Sequence, residues 1–289
     1  MRVFARDNNL KSIKFTKMQG LGNDHIIIDL FKEKIPEPNE LAPMMCNRHF
    51  GVGADGLILV GPSEMYDFRM RVINSDGSEA EMCGNGIRCL ARYVIESGLT
   101  DKTEFITETL RGPHAQEVHM VRGTFVDVTT AMGTPVLRRS EIPMVGEDSE
   151  KVINEEFIVN GARYYITLVN IGNPHCIVFV NDVDSVDLKT IGPQFEHHPL
   201  FPNRMNTEFV QILDKNNIRM RVWERGCGET LACGTGATAS VVATILNGLT
   251  FDTVTVHLAY GDLIIEWRDH LELYMTGGAE TVFTGTYKI

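Results

Sequence analysis

Apolar and polar residues alternate in short runs along most of this chain. "HIIIDL" (25–30), "GLILVG" (56–61), "FRMRVIN" (68–74), "TFVDVTT" (124–130), "YYITLVN" (164–170), "CIVFV" (176–180), "EFVQIL" (208–213), "IRMRVWE" (218–224), "TVTVHL" (253–258) and "LIIEW" (263–267) are bounded by Gly, Asn, Asp or Pro and read as strands. Two segments break the alternation. Ile87, Leu90, Ala91, Val94 and Ile95 recur at helical spacing and stop at Gly98; Ala237, Val241 and Ile245 do the same and stop at Gly248,. The second of these, "ATASVVATIL", is apolar nearly all round, which suits a helix enclosed by its own sheet,.

The two helices belong to a duplication. Arg69-Met70-Arg71-Val72, Glu79, Cys83, Gly84 and Gly86 recur as Arg219-Met220-Arg221-Val222, Glu229, Cys233, Gly234 and Gly236, a constant separation of 150 residues. "GNDHIII" at Gly22 and "GNPHCIV" at Gly172 keep the same offset, as do "SGLTDKT" at Ser97 and "NGLTFDT" at Asn247. The expectation is an α+β chain of two pseudo-symmetric domains, 12–140 and 150–278, each a curved, barrel-like sheet around a buried helix. The polar, Pro- and Glu-containing stretch 138–152 would join them, and equivalent loops would meet across a cleft,.

Composition narrows the function. A formal charge of -11 with no cluster of Lys or Arg argues against nucleic acid and anionic membranes,. No apolar run reaches membrane-spanning length and the amino terminus lacks a secretory core, so a cytoplasmic protein with a small-molecule ligand is expected,. Six cysteines are too few for a disulfide framework in a chain of 289 residues and read as thiols,.

Each Cys-Gly-x-Gly lies just ahead of a helix, where backbone N–H groups lack intrahelical partners and the dipole places roughly half a positive charge. Such a turn suits a carboxylate. The glycines admit a ligand close to the backbone, so Gly84-Asn85 and Gly234-Thr235 are candidate anion holders,. A thiol at the same place has its thiolate favoured, from about 8.5 toward roughly 3.5 to 7.5. Two such thiols at one carbon would supply a base on one face and an acid on the other, as reversible inversion by proton transfer requires.

With these motifs, the chain resembles the diaminopimelate epimerases almost from end to end. "GLGND", "NSDGSEAEMCGNGIRC", "GNPHC", "FPNRMNTEF" and "WERGCGETLACGTG" carry the resemblance. It implies an isomerase that needs neither pyridoxal phosphate nor metal, with no cofactor, acting in lysine and peptidoglycan precursor synthesis. Cys83 and Cys233 would be the acid/base pair, tuned by His175 and Glu224. Substrate contacts would come from Asn23, Asn74, Asn173, Asn206, Glu224 and Arg225, and from the backbone of Gly84, Asn85, Gly234 and Thr235. A homodimer is implied, with Tyr274 in its contact region. The list suits a doubly zwitterionic substrate, since Asn both donates and accepts and Arg can fork onto a distal carboxylate. For Asn74 alone, a turn residue is the competing reading.

The chain departs from the usual pattern at His25, where an aromatic such as Phe is common, at Cys227 and at Gly56, and in "LAYGDLIIEW" and "LRGPHAQEV". Proline racemase and hydroxyproline epimerase chemistry, or a binding protein that has lost turnover, are the alternatives. "GVGADG" (51–56) matches a dinucleotide-binding pattern, but the strand-then-helix context is missing,. No Cys-x-x-Cys knuckle supports zinc; Cys46, Cys89 and Cys176 read as core thiols,.

Overall fold

The computed structural model describes residues 12–149 and 151–289. The duplication is carried through to backbone register. In the first half, strand Asn23–Asp29 runs parallel to Gly56–Gly61 with His25 opposite Gly56. In the second, Pro174–Phe179 runs parallel to Asn206–Ile212 with His175 opposite Asn206. The repeated Arg-Met-Arg-Val lies in strands Phe68–Asn74 and Asn217–Glu224. Its Met and Val side chains are buried, and its second Arg pairs at 2.7 Å with the repeated Glu: Arg71 with Glu79, Arg221 with Glu229. That part of the repeat is structural.

The first unit runs through Val126 and takes back Ala279–Ile289; the second is Asp127–Gly278. In the first, Ser12–Gly20 is hydrogen-bonded on one side to the carboxy-terminal strand Glu280–Lys288 and on the other to Asn23–Asp29. The sheet continues through Gly56–Gly61, Phe68–Asn74, Glu104–Thr109 and Gly112–Val121. In the second, the order is Glu155–Val159, Ala162–Asn170, Pro174–Phe179, Asn206–Ile212, Asn217–Glu224, Thr253–Leu258, Gly261–Arg268 and Glu272–Gly277. Residues 128–133 of the strand Thr124–Gly133 close this row against Glu272–Gly277. The division falls inside that strand, ahead of 138–152, because its later residues find their hydrogen-bonding partners in the second unit.

Four α-helices are present among the described residues: α1 Pro38–Met45, α2 Gly84–Glu96, α3 Leu188–Glu196 and α4 Gly234–Leu246. Helix α2 packs on the strands of the first sheet and α4 on those of the second. The interior of α4 is built from small residues, and its buried hydroxyls are satisfied locally. Thr238 and Ser240 donate to the carbonyls of Gly234 and Gly236, four residues back. In α2 the fully buried Arg88 donates to the Gly84 carbonyl (2.9 Å) and to Asn85 Oδ1 (2.8 Å). Cys46, Cys89 and Cys176 are core residues, and burial pushes the first two thiols up to about 12. The α+β, barrel-like halves read from the sequence are the architecture observed. No helix among the described residues is long and apolar enough to cross a membrane.

Candidate active site

Both repeated cysteines are helix N-caps with extended backbones: Cys83 at φ -134°, ψ 116°, and Cys233 at φ -129°, ψ 111°. Sulfur stands where Ser or Asp usually accepts from the first turn. Cys83 Sγ accepts from Gly86 N–H at 3.3 Å and Cys233 Sγ from Gly236 N–H at 3.4 Å. The last glycine of each motif is also fixed by packing. A Cβ on Gly86 would lie 2.6 Å from Ile58 Cδ1, and one on Gly236 would lie 2.5 Å from Glu208 Oε1.

In the first half, His25 Nε2 lies 3.6 Å from Cys83 Sγ and 2.8 Å from Asn23 Oδ1. Asn23 Nδ2 donates to Asp55 at 2.7 Å, which turns Oδ1 toward His25, the thiol (3.5 Å) and Asn85 Nδ2 (3.3 Å),. Asp55 is held in turn by Arg48, which also binds Asp24, and Asp24 pairs with the buried Lys17 at 2.7 Å. Burial raises Asp24, but Arg48 and Lys17 together hold its carboxyl well below the usual range.

In the second half, His175 is fully buried, its Nδ1 2.7 Å from Glu208 Oε1 and its Nε2 3.0 Å from Asn173 Oδ1. Glu224 Oε1 accepts from the Thr230 hydroxyl, and Cys233 Sγ is 3.5 Å from the Thr235 hydroxyl. Asn206 is held by the protein, donating one amide N–H to the Pro174 carbonyl (2.7 Å) and accepting from Arg225 N–H (2.9 Å), with its second N–H to spare,. The exposed Arg225 guanidinium touches the Asn203 carbonyl at 3.1 Å.

The two thiols sit in opposite electrostatic surroundings. Burial pushes Cys83 up, but His25 and the N–H groups of Gly86 and Asn85 outweigh it, and the thiol lies below its ordinary value,. Burial pushes Cys233 up too, and there Glu224 and Glu208 push the same way, so the thiol lies well above it. Burial also raises Glu224, only partly offset by Thr230, Cys233 and His175.

Cys83, Gly84, Asn85 and Asn23 are thus assembled in one half, and Cys233, Gly234, Thr235, Glu224, His175, Asn173, Asn206 and Arg225 along adjoining elements of the other. Asn74 ends the strand Phe68–Asn74 in register with Gly56, which faces His25 on the next strand, and its amide donates to Ser78 Oγ at 2.9 Å. His25, Asp55 and Glu208 join these contacts and are not among the candidates read from the sequence. His25 and Glu208 were reachable through the 150-residue offset, which pairs His25 with His175 and sets Glu208 against the apolar Ile58.

A duplicated α+β chain with a cysteine capping the buried helix of each half has the fold of several solved proteins. These include a hydroxyproline epimerase from Agrobacterium vitis (TM-score 0.71, 13% identity, 96% of this chain and 93% of that one). A PhzF-family phenazine biosynthesis protein from Bacillus anthracis has TM-score 0.69 and 16% identity over 97% of this chain and all of its own. At such identities the likeness is one of fold. The sequence is more specific: residues 15–138 and 167–282 match the diaminopimelate epimerase family model. The diaminopimelate epimerases of Pelotomaculum thermopropionicum and Acetivibrio thermocellus are 54% and 50% identical, each over 94% of this chain and 98% of their own. That of Methanococcus maripaludis is 49% identical over 96% of this chain and all of its own. The chain belongs to the diaminopimelate epimerase family.

Proposed function

We propose that the chain interconverts LL- and meso-diaminopimelate by moving a proton between Cys83 and Cys233 through one α-carbon. The observation that carries this reading is the matched pair of cysteine N-caps in a chain of this family. One thiolate removes the α-hydrogen and the other thiol returns a proton to the opposite face. The substrate carboxylate, held by N–H groups at the helix starts, takes up charge as the carbanion develops. Cys83, with His25 and two N–H groups around it, is suited to be the thiolate of the resting protein, and Cys233, beside two carboxylates, the thiol.

His175 and Glu224 tune the second thiol in this reading, and Asn23, Asn74, Asn173, Asn206, Glu224 and Arg225 orient the substrate. The same reading makes the protein a cytoplasmic homodimer of lysine and peptidoglycan precursor synthesis, with Tyr274 in its contact region. The test is to incubate reduced protein with LL-diaminopimelate in D₂O and follow α-deuterium and the meso isomer. Deuterium uptake with inversion supports the reading. Neither, from protein with free thiols, overturns it and directs attention to cyclic amino acids and to the departures at His25, Gly56 and Cys227.

A further inference from the structure

Glu208 is a buried acid that the proton-transfer scheme does not use. It occupies the strand position that Ile58 holds in the first half, both side chains are fully buried, and both reach the same turn of their helix. One Glu208 oxygen meets His175 Nδ1 at 2.7 Å; the other, Oε2, is buried with no hydrogen-bond partner. The counterpart ring is built differently, because the buried Nδ1 of His25 has no partner at all.

We propose that Glu208 is a positioning residue that makes the two half-sites unequal: it fixes a proton on Nδ1 of His175 and sets a carboxylate behind the Cys233 turn, where the first half has only the methyl of Ile58. The inference rests on the two-thiol reading above. A carboxylate at a histidine Nδ1 selects the ring's tautomer and orientation, and on a side chain this buried one oxygen without a partner is costly,. Retaining it there sets a carboxyl group at the start of α4, where the repeat has the apolar Ile58. Around Cys233 the charged and polar groups are Glu224, Glu208, the Thr235 hydroxyl and the Gly236 N–H, with His175 and Thr230 acting on Glu224. Without Glu208, one of the two carboxylates that keep this thiol protonated is gone.

The experiment follows alkylation of Cys83 and Cys233 separately, by mass mapping after iodoacetamide treatment across a pH series. Wild type, Glu208→Gln and Glu208→Leu are compared. Glu208→Gln keeps the volume and an acceptor for Nδ1–H but removes the charge. Its Cys233 midpoint is expected to fall by about one unit, about tenfold faster reaction at neutral pH, with Cys83 unmoved. Glu208→Leu also frees the ring, so its Cys233 midpoint falls as well. An unchanged Cys233 midpoint in folded Glu208→Gln overturns the proposal, because a packing role alone is insensitive to that exchange.

If neither variant folds, ¹⁵N-histidine spectra of the wild-type protein decide. His175 with a hydrogen-bonded Nδ1–H supports the proposal, and His175 bare at Nδ1 overturns it. Failure of the underlying reading shows elsewhere, as epimerisation that survives in Cys83→Ala or Cys233→Ala.

Discussion

Replacing His25 by Phe keeps a ring of similar size at a position only 3% exposed, but removes the Nε2 group that lies 3.6 Å from Cys83 Sγ. A hydrogen bond to an ionised group contributes about 1.5–3 kcal/mol, and about 1.4 kcal/mol corresponds to one pKa unit. The contact is long and its nitrogen is shared with Asn23 Oδ1 at 2.8 Å, so the lower figure applies. The Cys83 midpoint should therefore rise by about one unit. The sign is fixed by the surroundings: burial, the largest influence, already pushes this thiol up, and His25 is the chief group opposing it. The Gly86 and Asn85 N–H groups remain, so the shift should stop short of a fully buried thiol. Alkylation of Cys83 followed across pH, with Cys233 as the internal reference, reads the shift directly. The epimerisation rate near neutral pH should fall by a similar factor. A Cys83 midpoint that stays in place in folded His25→Phe would refute the assignment of His25 as the group that favours the thiolate.

Gly86→Ala should destabilise by about 1–3 kcal/mol through overpacking against Ile58, and the added substitution Ile58→Val, which deletes the colliding Cδ1, should recover much of it in urea unfolding. Asp24→Asn leaves the buried Lys17 without its carboxylate and should cost about 3 kcal/mol at pH 7,. Because the folded Asp24 is depressed, that difference from wild type is present above the unfolded carboxyl's value near pH 4 and is lost as pH falls toward the folded one,. Unfolding curves at pH 7 and pH 3 should show it shrinking, and a constant gap would count against the Lys17–Asp24–Arg48 network as its source.

What was legible in the sequence was what repeats. The offset of 150 residues foretold two helices with cysteine caps, and they match in length and in cap dihedrals because identical Cys-Gly-x-Gly turns meet the same demand for close approach at Gly86 and Gly236. The strand Ser12–Gly20 and its partner Glu280–Lys288 escaped, since they pair across nearly the whole chain and no local pattern signals such a partner. Helices α1 and α3 are short and carry an internal proline each, which masks their periodicity. Among site residues, the repeated cysteines stood out through their motif. Glu208 looked like an ordinary polar strand position in "NTEFVQI", and its significance appears only when burial and the 2.7 Å contact with His175 are seen. Asp55 holds the Asn23 amide, a link between side chains 32 residues apart that spacing does not display.

The central claim is that two thiols serve one carbon. Its most direct test is inversion of LL-diaminopimelate in D₂O by the single variants Cys83→Ala and Cys233→Ala, each checked for folding against wild type. The account predicts that neither variant forms the meso isomer, since each lacks the group for one face. A folded single variant that still inverts the substrate at the wild-type rate would contradict it.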